Sequence, residues 1–181
     1  MNKVRTDNSY LGDKIALRLS MIPVKNTLRV IDAYSGAGTI WKNIQKKYSG
    51  KILITKIDQE QKDDSFVFIG DNVKYLTSLN LDKYDVIDLD AYGVPYEQLK
   101  IIFERSFRGT VFVTYIQSFA GRLNDGLLED LGYTKKMIDK CPTLFGKNGL
   151  VKLTHWLSLH GINHITIRSH ERKSYLGFVI K

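Results

Sequence analysis

Leu28-Arg29-Val30-Ile31-Asp32-Ala33-Tyr34-Ser35-Gly36-Ala37-Gly38-Thr39 is the stretch that decides the fold. The apolar run over 28–33 reads as a strand and ends against an acid. Ser35, Gly36 and Gly38 then put small residues where the backbone has to turn sharply or approach a ligand closely. Ile40, Trp41 and Ile44 follow on one helical stripe and predict a helix over 39–48. Strand, small-residue turn and helix together form the opening unit of a nucleotide-binding α/β sheet. The dinucleotide version of that turn needs a third glycine for close helix–strand packing. Trp41 stands at that position, which argues against NAD.

The same alternation continues outward from this unit. Strands are expected at 51–57, 65–70, 84–89 and 109–116, and several are continuous apolar runs such as Val111-Phe112-Val113, as a sheet covered on both faces requires. Helices are expected at 72–79, 95–106 and 147–160, the second opening with Pro95 in its first turn. This order predicts a parallel sheet with right-handed crossovers. The end of the chain departs from it. Residues 163–169 and 174–180 flank the polar Ser169-His170-Glu171-Arg172-Lys173 and read as an antiparallel hairpin. The irregular stretch 118–147 carries Gly121, Gly126, Gly132, Pro142 and Gly146, and reads as an insertion or lid after the fifth strand. The expected division is a basic N-terminal segment, 1–27, before one domain over 28–181.

The 181 residues suffice for one domain with a sizeable core. No apolar run approaches the ~20 residues that span a bilayer, so no membrane partner is expected. The start of the chain has no signal-like apolar segment, and a cytoplasmic location is the expectation. A lone Cys141 excludes an internal disulfide, and four scattered histidines argue against a metal site. The net charge of +8 is unevenly placed: +4 over residues 1–31, −3 over 32–134 and +7 over 135–181. Basic ends around an acidic middle suit a polyanionic partner, and equally suit a lysine-rich solvated surface.

Acids recur at the ends of the expected strands. Asp32 is placed to accept from a ligand ammonium. Asp58, closing Ile54-Thr55-Lys56-Ile57-Asp58, is placed to accept both hydroxyls of a ribose. Asp71, after Val67-Phe68-Ile69-Gly70, can accept from an adenine amino group with Asn72 beside it, and can equally cap the next helix. Tyr34 and Asp88 complete the expected cofactor contacts. Asp88-Leu89-Asp90-Ala91-Tyr92-Gly93-Val94-Pro95 follows the fourth strand. Strand alternation puts Asp88 and Asp90 on one face, with Asp90 nearer the carboxyl end where ligands of open α/β sheets bind. Asp90 is expected to orient an acceptor amine, and Tyr92 to stack on an unpaired base.

Asp32-Ala33-Tyr34-Ser35-Gly36-Ala37-Gly38-Thr39 resembles motif I of the class I S-adenosylmethionine-dependent methyltransferases. Asp88-Leu89-Asp90-Ala91-Tyr92-Gly93-Val94-Pro95 is similar to the D-x-D-P-[FY]-G-[ST]-P motif of the tRNA guanine N2-dimethyltransferases, and Phe112-Val113-Thr114 fits that family's fifth strand. The motif resemblance covers roughly residues 28–117. It implies a Rossmann-like class I methyltransferase fold, with a mostly parallel seven-stranded sheet ending in an antiparallel hairpin. It also implies S-adenosylmethionine as cofactor and methyl transfer to an exocyclic base amine of RNA in tRNA processing, guanine N2 in tRNA or rRNA foremost. Ala91 stands where the family has proline, which loosens the loop that presents the amine. The large RNA-binding domain of the tRNA enzymes is absent from these residues, and Lys14, Arg18 and Lys25 on a helix within 1–27 are expected to take its place. Tyr10-Leu11-Gly12-Asp13-Lys14 is a second candidate, for closing over the cofactor. Two other readings stay open: an orphan DNA amino-methyltransferase of a mobile element, and a non-catalytic binding subunit of the same fold.

Overall fold

A computed structural model describes residues 10–61, 66–116, 123–141 and 148–181. Seven strands form one sheet in the order β3-β2-β1-β4-β5-β7-β6. They are β1 (Thr27–Asp32), β2 (Lys51–Asp58), β3 (Phe68–Ile69), β4 (Val86–Leu89), β5 (Gly109–Ile116), β6 (Ile165–Ser169) and β7 (Lys173–Ile180). β1 to β5 run parallel; β7 lies antiparallel to β5, and β6 antiparallel to β7. This is the expected Rossmann-like architecture with its closing hairpin. The third strand is two residues long instead of six, and the start of its expected span, Ser65, lies outside the described residues.

Strand alternation divides the core into two layers. On β4, Val86 and Asp88 face one side, and Ile87 and Leu89 the other; all four are buried. The first layer holds Leu28, Val30, Ile52, Val86, Phe112 and Tyr175 under helices α1 (Leu11–Met21) and α2 (Thr39–Gln45), which add Ile15, Leu17, Trp41 and Ile44. The second holds Ile31, Ile57, Ile87, Leu89, Val111, Val113, Leu176 and Phe178. It packs under α3 (Asn72–Ser78), α4 (Tyr96–Glu104), α5 (Asp125–Asp130), α6 (Lys135–Lys140) and α7 (Gly149–Leu159).

Helix α1 is therefore built into the core, with Leu17 fully buried. Gly177 on β7 makes room for it: a side chain there would collide with Met21 and with the Phe112 ring. The expected lid carries α5 and α6, capped by the side chains of Asn124 and Thr134. Its remaining parts, 118–122 and 142–147, lie outside the described residues, as do residues 1–9 of the basic N-terminal segment. Among the described residues, no helix is long and apolar enough to cross a membrane.

Candidate active site

The parallel strands all deliver their carboxyl ends to one edge, so the acids singled out above gather there. In register across the sheet, Lys56 of β2 pairs with Asp32 of β1, Asp32 with Asp88 of β4, and Asp88 with Phe112 of β5. Register partners share a face. Three carboxylates, Asp32, Asp88 and Asp90, thus stand on the side of the sheet that α1 and α2 cover.

Asp88 and Asp90 are neutralised from α1. Arg18 Nε and Nη2 donate to the two oxygens of Asp88 at 2.7 and 2.6 Å, and Trp41 Nε1 adds a third bond at 2.8 Å. Both partners of this ion pair are 1% exposed. Lys14 Nζ donates to both oxygens of Asp90 at 2.8 Å, and the Thr114 hydroxyl donates to Asp90 Oδ1. Burial works to raise the Asp90 pKa, but Arg18, Lys14 and the hydrogen bond from Thr114 outweigh it and hold the carboxyl below its ordinary value. A carboxylate offers about four acceptor sites. At Asp90 three are taken, and its side chain keeps 15% exposure.

Two expectations are corrected by this geometry. Asp88 does not reach the surface as a cofactor contact would: its carboxylate is fully buried and held by three hydrogen bonds from Arg18 and Trp41. Lys14 and Arg18 are not a polyanion-binding face, because both are buried against β4. Lys25, the third cation of that expectation, pairs with Asp85 at 2.5 Å. The buried Trp41 indole supplies a reason for the missing third glycine: it tethers α2 to β4.

The turn after β1 differs in its electrostatics. Gly36 and Gly38 adopt left-handed φ of 51° and 68°, which a side chain would strain. Beside Gly38 the Lys56 ammonium fills the space a Cβ would enter. The Asp32 carboxyl is held well above its ordinary pKa by burial first, then by Asp88 and Asp90, with Arg18 and Lys56 acting in the opposite sense. Ser35 is 7% exposed, and its hydroxyl has no hydrogen-bond partner among the described residues. Asp58 meets this turn from β2, accepting from the Gly36 amide at 2.7 Å and from the Glu60 amide at 3.3 Å.

The remaining expected residues sit around these two groups. Asp71 is exposed and caps α3, accepting from the Val73 amide at 2.9 Å. Asn72 ties the turn to its neighbours, donating to the Ala33 carbonyl at 3.1 Å and accepting from Gln98 at 2.8 Å. Tyr34 is half-buried against the second core layer; burial raises its hydroxyl pKa, a hydrogen bond with Asn72 opposes that, and Asp71 adds to it. Tyr92 projects from the loop after β4 with 70% exposure. Ala91 leaves that loop without a proline, and the Lys14–Asp90–Thr114 contacts fix the adjacent acid instead.

No protein-family model matches the chain, and no curated protein matches it in sequence. Solved structures do match in fold. A SAM-dependent methyltransferase from Archaeoglobus fulgidus superposes with a TM-score of 0.59 at 12% identity, over 96% of this chain and 94% of that one. Phosphoethanolamine N-methyltransferase 2 of Haemonchus contortus, in complex with S-adenosyl-L-methionine, gives 0.60 at 10% identity, over 93% of this chain and 52% of that one. A methyltransferase from Geobacter sulfurreducens gives 0.52 at 13% identity, over 97% and 80%. The likeness establishes the fold of the class I methyltransferases.

Proposed function

We propose that this chain is an S-adenosylmethionine-dependent methyltransferase acting on an exocyclic base amine of RNA, guanine N2 foremost. The observation that carries the reading is the contrast within one sheet edge: an anionic, oriented Asp90 beside the exposed Tyr92, and a turn where Arg18 and Lys56 only partly compensate the buried Asp32 and the Ser35 hydroxyl has no hydrogen-bond partner among the described residues.

The turn fits the cofactor on its own chemistry. S-adenosylmethionine, when bound, supplies an electrophilic methyl group on a sulfonium, together with a cationic ammonium and hydroxyl-bearing ribose. Asp32 is a buried carboxyl whose charge Arg18 and Lys56 offset only in part, the buried Ser35 hydroxyl has no partner among the described residues, and Asp58 stands half-buried at the end of the neighbouring strand. Those three residues hold the donor, with Gly36 and Gly38 keeping the backbone clear.

Asp90 does the acceptor work. Its depressed pKa makes it a poor proton acceptor at neutral pH, so its part is to accept a hydrogen bond from the amine and aim the nitrogen. Placement of this kind accounts for a large share of rate enhancement when the electrophile is already reactive. Tyr92 offers a face on which an extruded base stacks. Lys14 and Thr114 act through Asp90 and are positioning residues. The test is incubation of the full chain with methyl-labelled donor and separate total-RNA and DNA pools, followed by nucleoside analysis. Label in an N2-methylguanosine of RNA is the expected result. Label confined to DNA, or donor binding with no transfer to either pool, overturns the RNA assignment.

A further inference from the structure

The antiparallel closure of the sheet brings a basic turn to the edge where Asp90 stands. β7 runs back along β5 with Thr114 opposite Tyr175 and Ile116 opposite Lys173, so the β6–β7 turn lies at the carboxyl ends of the parallel strands. His170 and Lys173 close it with reciprocal backbone bonds of 2.7 and 3.3 Å. Glu171 and Arg172 are left exposed at its tip. Arg168, opposite Tyr175 on β6, shares with Lys173 the face that α1 covers.

Contacts fix this tip relative to the candidate acceptor position. Lys14, bonded to Asp90 at 2.8 Å, lies 5.3 Å over the Tyr175 ring. Tyr175 and His170 rings are 5.7 Å apart, and His170 stacks on Tyr10 at 3.6 Å and 9°. Asp13 of α1 lies 3.1 Å from His170 Nε2, off the line of a hydrogen bond, and 3.8 Å from Arg168 Nη1. The turn is thus pinned to the first turn of α1, a few side chains from Asp90. Asp13 and Glu171 are the acids at this corner; Arg168, Arg172 and Lys173 are the cations.

We propose that the β6–β7 turn, through Arg168, Arg172 and Lys173, carries the backbone phosphates of the acceptor RNA while a base reaches Asp90 and Tyr92; this rests on the base-amine reading above. It replaces the role that α1 cannot play, since the cations of α1 are spent on β4. Phosphate contacts position a strand without reading its sequence. The turn is a short ledge beside the site, closed by its own backbone bonds and pinned to α1 through His170 and Tyr10.

The test titrates the full chain into fluorescein-labelled single-stranded oligouridine and oligoadenosine RNA at several salt concentrations. The double charge reversal Arg172→Glu with Lys173→Glu is expected to weaken binding about tenfold or more. It should also flatten the dependence of log K on log salt by about 0.7 for each phosphate contact removed. The loss should be equal on both RNAs, with calorimetric binding of S-adenosylmethionine unchanged. Arg172→Lys should retain most of the affinity, and Lys46→Glu with Lys47→Glu, exposed at the far end of α2, should bind as the parent does. A reversal variant with parental affinity and salt slope, or an equal loss from the α2 reversal, overturns the proposal and leaves the base-amine reading standing. Binding lost at the turn while the parent methylates no RNA sinks that reading and keeps the ledge. Clearly tighter binding to the matching DNA oligonucleotides overturns the RNA assignment of the ledge.

Discussion

The end of β4 and the turn after β1 are neighbours on one sheet edge, yet they solve the problem of buried charge in opposite ways. At β4, α1 presses two cations onto two carboxylates, and each acid has its charge paired inside the protein. At β1, Asp32 is as deeply buried, and its largest influences besides burial are two further carboxylates, only partly offset by Arg18 and Lys56. Burying a carboxylate without full compensation is costly. The difference teaches where a ligand's positive charge belongs: against the turn, not against β4. It also separates an acid kept for orientation from an acid kept for binding.

The largest effect should come from breaking the neutralised side. Arg18→Ala leaves Asp88 charged and unpaired in the interior, and should cost about 3–5 kcal/mol in chemical denaturation. Pairing it with Asp88→Leu should recover much of that loss. A single variant as stable as the parent would show that the ion pair does not hold α1 to the sheet. Next in size, Asp90→Ala should reduce methyl transfer by about 100-fold or more. Calorimetric affinity for the donor should stay within a few-fold. Loss of donor binding instead would erase the division of labour between the two regions.

Asp32→Asn sharpens the comparison from the other side. A carboxyl whose folded pKa is raised costs stability as pH climbs above about 4, the unfolded carboxylate value. The asparagine variant should therefore gain on the parent in melting temperature as pH rises through the window above that value, while binding the donor at least several-fold more weakly. A gain in stability without weaker binding would make Asp32 a purely structural liability. Lys14→Met acts in the opposite sense. Asp90 loses a cation that depresses its pKa, so the acid limb of the pH–rate profile should move to higher pH. Lys14→Arg should move it most of the way back. The smallest effect is expected at Tyr92. Its truncation to alanine should weaken acceptor binding by about 1–3 kcal/mol and leave stability within about 0.5 kcal/mol, as a fluorescence titration and a melt would show.

Much of this was readable residue by residue. The 28–39 stretch located β1, its turn and α2, because apolar periodicity and small-residue turns act locally. Asp58 and Asp90 were placed at strand ends for the same reason. Asp88 was misread because alternation gives a face but not what covers that face. A usable signal was nevertheless present. Lys14 and Arg18 are four residues apart, a rise of about 6 Å on a helix, and Asp88 and Asp90 are two apart, about 6.6 Å on a strand. Two such pairs of opposite sign match in spacing.

What the chain determines through its sequence alone is the order of strands and helices and the delivery of acids to one edge, since each depends on contacts within a turn or a short run. Which of those acids is neutralised was decided only in three dimensions. The pairs Arg18–Asp88 and Lys14–Asp90 join residues 70 and 76 positions apart, and they form because Ile15 and Leu17 bury α1 against the sheet. Apolar docking, blind to charge, sets the distance at which the charges then meet.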